Sequence, residues 1–317
     1  MNDKKVKLGQ FFTQSNVWLK KHILDFINNS ACNTIYDPFA GAGDILKCFN
    51  KLNVVALDID KSLGWNYNDS LSNIPTIDNA IIVTNPPYLA KNSASKKRFN
   101  IDYFKYSEYE DLYLIALEKC LKAQKYVVAI IPESFINAKF KYKNRLVSIT
   151  IIENNPFLDT SIPVCVACFN NVFKDFKDIY IYKNDILIDN MEHLLNYKLT
   201  PTYNRNIKFN DKTGWLGIRC IDSSNDKDFI KFDFKENLKY DFSKISNTSR
   251  SFTLVNVDIE ENKKEALIIS CNNLLQDIRK NTQDVILTAF KGNTKSRVRR
   301  RRLDFNLARA IIEKSLL

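Results

Sequence analysis

Histidine is nearly absent from this chain of 317 residues: His22 and His193 are the only two. A zinc site built from His and Cys has little to draw on. The one C-x-x-C, Cys165 and Cys168, lies inside the strand-like apolar run Ile162 to Phe169 with no second pair nearby, so both cysteines read as core. The seven cysteines are odd in number and lack framework spacing, which excludes a disulfide scaffold and points to reduced thiols in a cytoplasm. No apolar run is long enough to span a bilayer and no secretory leader is evident, so no membrane partner is expected. Internal repeats are also missing.

What is present is enough for a globular protein. A hydrophobic content of 45% argues against disorder, and the length leaves room for two domains. The most informative segment is Asn85-Pro86-Pro87-Tyr88, directly after the apolar run Ile81-Ile82-Val83-Thr84. A β-branched run bounded by prolines reads as a buried strand, which puts the four residues at its carboxyl end, where open α/β sheets bind ligands. Pro86 and Pro87 fix φ and remove two N–H donors, leaving the Asn85 carboxamide and adjacent carbonyls as acceptors. Acceptors held this way suit an NH2 group. Tyr88 adds a flat ring, so a planar heterocycle with an exocyclic amine could be held by face and edge together. A Pro-Pro loop that merely ends a strand is the plainer reading of the tetrapeptide taken alone.

Two further segments favour the chemical reading. Thr34-Ile35-Tyr36 leads into Asp37-Pro38-Phe39-Ala40-Gly41-Ala42-Gly43-Asp44, a strand followed by a glycine turn that lets backbone approach a ligand, with Ile45 to Phe49 able to open a helix. The third glycine of a dinucleotide fingerprint is missing, and Asp37 suits a cationic amine better than a pyrophosphate. The next strand candidate, Val54 to Leu57, ends in Asp58, 21 residues after Asp37. An acid at a second strand tip about 20 residues on is the geometry that binds a ribose diol.

On these motifs the chain resembles S-adenosylmethionine-dependent DNA adenine-N6 methyltransferases, in the class whose cofactor motifs precede the target-recognition region. The resemblance covers roughly the first half of the chain. It implies a doubly wound, mostly parallel α/β sheet of the class I, Rossmann-like methyltransferase type, with a smaller carboxyl-terminal DNA-recognition domain. It assigns Asn85, Pro86, Pro87 and Tyr88 to catalysis, with Phe157 covering the second face of a flipped base. Phe11, Phe12 and Thr13, within Gly9 to Thr13, resemble the amino-terminal cofactor motif, although Gln14 replaces the usual proline. Asp37, Phe39 and Gly41 match the first cofactor loop, Asp58 the ribose-binding acid, and Asp69 the acid that meets the cofactor adenine. The implied cofactor is S-adenosyl-L-methionine, without a metal, and the implied partners are double-stranded DNA and a cognate restriction endonuclease, in a bacterial or viral intracellular setting. N4-cytosine DNA, RNA adenine and protein glutamine methylation share the tetrapeptide, and a silent DNA-binding module is a further alternative.

The net charge of +11 asks for an acidic partner. Residues 281–317 hold nine Lys or Arg against three acids. Arg299, Arg300, Arg301 and Arg302 are expected to contact phosphates, on an ordered end with a basic face. Lys96, Lys97 and Arg98, in the basic stretch Lys91 to Arg98, are expected to form a mobile loop over DNA. A capped amphipathic helix is expected from Ser15 to Asn28, and another over Tyr109 to Leu121. Alternating strands and helices run to about residue 170, and Ile179 to Tyr182 finishes the sheet. Loss of pattern at 190–205 sets the expected domains at 1–195, cofactor-binding and catalytic, and 196–317, target-recognition.

Overall fold

The computed structural model describes residues 15–96, 101–157 and 161–316. The chain divides into two compact units, Met1–Met191 and Glu192–Leu317.

In the first unit, β1 (Thr34–Asp37), β2 (Asn53–Asp58), β3 (Asn66–Tyr67), β4 (Ala80–Thr84), β5 (Val127–Pro132), β6 (Leu146–Ile152), β7 (Val164–Phe169), β8 (Tyr180–Lys183) and β9 (Ile186–Asn190) form one sheet. Their order is β3-β2-β1-β4-β5-β7-β6-β8-β9. The first five are parallel, β7 is antiparallel to both its neighbours, and β6 pairs parallel with β8. The result is a mostly parallel sheet in an α/β arrangement. The chain leaves β1 toward β2 and β3, then returns to place β4 on the other side of β1. That reversal opens a crevice at the carboxyl ends of β1 and β4.

Both faces of the sheet are covered. Ile35, Ile81, Val83, Val128, Ile130, Val164 and Val166 share one core cluster with Trp18, Ile23 and Ile27. The alternate residues Tyr36, Ile82, Val127, Ala129 and Ile131 are also fully buried, as a period of two requires when layers lie on both sides. Helix α1 (Lys21–Asn29) supplies Ile23 and Ile27 to the first face. Helix α2 (Leu112–Ala123) is packed on nearly all sides, with nine of its residues buried and Glu118, Lys119 and Lys122 in a narrow polar stripe. The expected amphipathic helix is thus a core helix.

Other local expectations need correction. The helix expected over Ser15 to Asn28 is two helices, Ser15–Trp18 and α1, because Lys20 adopts extended backbone (φ −80, ψ 160) at the α1 N-cap and caps nothing with its side chain. After the glycine turn only a 3-10 turn, Leu46–Cys48, forms. Lys91–Lys96 is a short helix rather than a loop.

The second unit holds a sheet of β10 (Ile207–Phe209), β11 (Leu216–Arg219), β12 (Lys231–Phe234) and β13 (Phe252–Val257), antiparallel in the order β10-β13-β11-β12. It also contains helix α3 (Lys264–Thr282), the hairpin of β14 (Thr288–Asn293) and β15 (Arg299–Arg302), and helix α4 (Phe305–Ser315) capped by Asp304. The arginine run is strand β15, not a basic surface. Alternation turns Arg299 (4% exposed) and Arg301 (1% exposed) inward, so the expectation that all four arginines contact phosphates fails for these two. Arg301 donates from its backbone to Asp222 Oδ2 at 3.1 Å, and Arg300 Nε donates to the Asp222 carbonyl at 2.8 Å. Asp222 also receives both Nη groups of Arg279 at 3.0 Å, which makes it the hub of a buried network. Helix α4 has no free basic face at Arg309, whose guanidinium lies over Tyr203 and Phe209 and donates to the Ile207 carbonyl.

Candidate active site

Three parallel strands deliver the candidate residues to one edge of the sheet. β1 ends at Asp37, β2 at Asp58 and β4 at Thr84, immediately before Asn85. Asp37 is 1% exposed, and its Oδ1 accepts from Thr84 Oγ1 at 2.6 Å and from the Phe39 N–H at 3.0 Å. Burial pushes its carboxyl up to about 7, against the lowering effect of those two hydrogen bonds.

Asp58 is 4% exposed, not a solvated acid at a strand end. Its Oδ2 accepts from the Gly41 N–H and its Oδ1 from the Asp60 N–H, both at 2.8 Å. Asp58 therefore pins the glycine turn of β1. That turn needs positive φ at Gly41 (+51°) and Gly43 (+74°). A Cβ on Gly43 would lie 2.8 Å from the Trp65 ring, whereas one on Gly41 would point into open space. Trp65 Nε1 donates to the Gly41 carbonyl at 2.8 Å, so its indole braces the turn. Asp69 follows β3; its Oδ2 accepts from Ser72 Oγ at 2.6 Å and Tyr103 OH at 3.0 Å. Asp69 Oδ1 is buried and accepts nothing from any described residue.

Asn85 and Tyr88 share a proton count that fixes their orientation. The Tyr88 hydroxyl oxygen lies 2.5 Å from the Asn85 carboxamide atom placed as Oδ1 and 2.7 Å from the Ile130 carbonyl oxygen. A phenol has one proton and the carbonyl has none, so the two contacts need a second hydrogen, which only the Asn85 NH2 can supply. Oxygen and nitrogen of an amide exchange on a half-turn of the group. The consistent arrangement has Tyr88 donating to Ile130 and Asn85 Nδ2 donating to Tyr88, with Asn85 Oδ1 turned the opposite way. Burial pushes the Tyr88 phenol pKa up, so it stays protonated.

The rings of Tyr88 and Phe157 meet edge to face, centroids 6.2 Å apart at 61°. A base held between two parallel rings needs a gap of about 7 Å, two carbon contact distances. The pair therefore touches itself, and Phe157, 5% exposed, also packs in the core. Tyr113 meets Tyr88 from another side, 6.5 Å between centroids.

The structure brings together Asp37, Phe39, Gly41 and Asp58, and joins them to Asn85 through Thr84. Phe11, Phe12, Thr13, Lys97 and Arg98 lie outside the described residues, as does the side chain of Lys96. Sequence reasoning missed Thr84, Trp65 and the Ile130 carbonyl. Thr84 left a signal, as the only polar residue of its strand; Trp65 left none.

Residues 57–159 match the Eco57I restriction-modification methylase family. The match covers about a third of the chain and contains Asp58, Asp69 and Asn85 to Tyr88. No curated protein sequence matches. Among solved structures, the chain is similar to the type I restriction-modification methyltransferase subunit from Streptococcus thermophilus, at 18% identity and TM-score 0.36 over 55% of this chain. It spans about half of that subunit (49%). It is also similar to the type I restriction enzyme EcoKI M protein, at 12% identity and TM-score 0.35, over 80% of this chain and 68% of that one.

Proposed function

We propose that this protein is a DNA methyltransferase that uses S-adenosyl-L-methionine to methylate N6 of an adenine rotated out of the duplex. The observation that carries the reading is the Asn85–Tyr88–Ile130 arrangement beside Asp37: an oriented amide oxygen in a crevice whose neighbouring acids suit a cationic, ribose-bearing ligand. The match over residues 57–159 supports the methyltransferase class.

The residues fit the cofactor. Gly41 opens onto space that a ligand can fill. The unsatisfied Asp69 Oδ1 suits an adenine amino group. Asp37 would face the cofactor's ammonium group and Asp58 its ribose hydroxyls, each Asp58 oxygen retaining a lone pair beyond its backbone bond. When bound, the cofactor supplies an electrophilic methyl on a sulfonium. Phe39 joins the proposed pocket, and the sequence resemblance alone proposes Phe11, Phe12 and Thr13 as cofactor-binding residues.

The chain's own residues act on the base. Asn85 Oδ1 and the Pro86 carbonyl accept the two amino hydrogens, which draws the nitrogen lone pair out of conjugation with the ring and aims it at the methyl. Pro87 stiffens the turn, so these acceptors need no reorganisation as charge develops. Tyr88 and Phe157 open to stack on the base. Flipping costs a few kcal/mol, and stacking returns about 1–3 kcal/mol per aromatic contact. Residues 196–317 supply target recognition, and a restriction endonuclease is the functional partner.

Incubation with methyl-labelled cofactor and, separately, duplex DNA, RNA and a bacterial protein extract tests this. Label in duplex DNA alone supports the reading; label in RNA or protein alone overturns it.

A further inference from the structure

The second unit carries 24 Lys and Arg against 16 Asp and Glu, +8 of the chain's +11. With Arg299 and Arg301 turned inward, that charge needs another outlet. The hairpin β14–β15 provides one. Its register shifts between Ala289 and Asn293, where three residues of β14 face one of β15, and Gly292 (φ +73) takes up the bulge. The shift leaves Lys291 exposed.

Beyond it, the connecting residues 294–298 are exposed except for Thr294, yet their backbone is tied down. Ser296 N and Oγ donate to Asp226 at 2.9 and 2.7 Å, Lys295 N donates to the Ser224 carbonyl at 3.0 Å, and Val298 N donates to Thr294 Oγ1 at 3.2 Å. Arg297 sits at the tip with φ +64, a left-handed conformation that a long side chain rarely adopts, held by its N–H bond to the Thr294 carbonyl at 3.0 Å. Hydrogen bonds from Thr294 and Ser296, with the nearby Lys295 charge, keep the Asp226 carboxyl below the usual carboxylate range, so Asp226 is engaged in holding the loop. Lys291 and Arg297 have no carboxylate partner among the described residues. On the strand below, half-buried Arg300 lies over the Phe290 ring, 4.9 Å from its centroid, and is held there by its Nε bond to the Asp222 carbonyl.

We propose that the tip of this hairpin, Lys291, Lys295 and Arg297, is the surface that contacts duplex DNA, with Arg297 reaching a base edge and the two lysines holding phosphates. A two-stranded ribbon fits the major groove of B-form DNA. The loop is already ordered by its own hydrogen bonds, so little conformational freedom remains to be lost on binding. The planar guanidinium offers paired donors to a guanine edge, while the lysines act as point charges on the backbone. The inference rests on the reading of DNA as substrate and deepens it.

Affinity of the full chain for random-sequence duplexes, measured across a salt series, tests the lysines. Lys291→Gln with Lys295→Gln is expected to weaken binding to all duplexes about tenfold and to lower the log–log salt slope by about 0.9 for each phosphate no longer neutralised. Lys212→Gln with Lys239→Gln, the same charge change at exposed sites elsewhere in the unit, should leave the slope within error. Selection from a random duplex pool tests Arg297: Arg297→Gln should relax the selected consensus at one base pair, with discrimination there falling about tenfold. An unchanged slope and consensus in the hairpin variants overturn the proposal, as does preferential binding of RNA. Because binding is read without turnover, wild-type protein that binds duplexes through the hairpin but transfers no methyl would sink the catalytic reading and leave this one standing.

Discussion

Thr84 Oγ1 donates to Asp37 Oδ1 across the crevice between β4 and β1, at 2.6 Å, in a site where both side chains are buried. The bond places Asn85, the next residue, beside the glycine turn that follows β1, and it leaves Asp37 a carboxyl whose ionisation burial opposes.

This raised carboxyl sets a pH dependence. Its folded pKa of about 7 exceeds the ordinary value of 3.8, so the folded state holds the proton more tightly and stability falls as pH rises between those values. Asp37→Asn removes the effect. Its melting temperature relative to wild type should climb from about pH 4 to about pH 7 and level off above, the total difference being at most about 4 kcal/mol. Cofactor affinity of the wild type should move the opposite way, strengthening as pH rises through 7, because a cationic ligand favours the ionised acid. Thermal melts with and without S-adenosylmethionine across this range check both.

The Tyr88 hydroxyl orients Asn85 by accepting from its amide. Tyr88→Phe keeps the ring and loses that bond, so turnover should fall about tenfold with cofactor affinity unchanged, the worth of one hydrogen bond near 1.4 kcal/mol. If Tyr88 serves only by stacking, the variant will turn over at the wild-type rate.

Gly43→Ala meets two obstacles, a left-handed φ of +74° and a contact of 2.8 Å with the Trp65 ring. A loss of about 1–2 kcal/mol from the backbone alone is expected, seen as a melting temperature lower by roughly 2–8 °C. Cofactor affinity, read by calorimetry, should fall with it, since the same turn frames the proposed pocket.

Much of the first unit could be read from the sequence, because β1, β2, β4 and β5 are short apolar runs, of which β1 and β2 end in acids and β4 leads directly into Asn85. Continuous apolar runs marked the strands, and Asp37 and Asp58 marked the points where β1 and β2 leave the sheet. The second unit was harder. Leu267, Ile268, Cys271, Leu275 and Ile278 stand at helical spacing in α3, yet the polar residues between them diluted the pattern. The arginine run misled for a physical reason: charge alone suggests solvent, but in strand β15 alternate side chains must face the interior, where Arg301 Nη1 donates to the Leu287 carbonyl and Arg299 Nη1 to Asn293 Oδ1. The split of α1 from the helix before it was invisible because nothing at Leu19 and Lys20 breaks a helix by itself.

The most direct test of adenine-N6 methylation at Asn85 is the identity of the methylated nucleoside. Duplex DNA treated with the protein and S-adenosylmethionine is digested and its nucleosides are separated by mass spectrometry, beside a parallel reaction with Asn85→Ala. The expected product of the wild type is N6-methyldeoxyadenosine, with a yield lower by a factor on the order of 10²–10³ from the variant, which should still bind cofactor. N4-methyldeoxycytidine as the product, or an Asn85→Ala reaction within a few-fold of the wild type, would contradict the proposed chemistry.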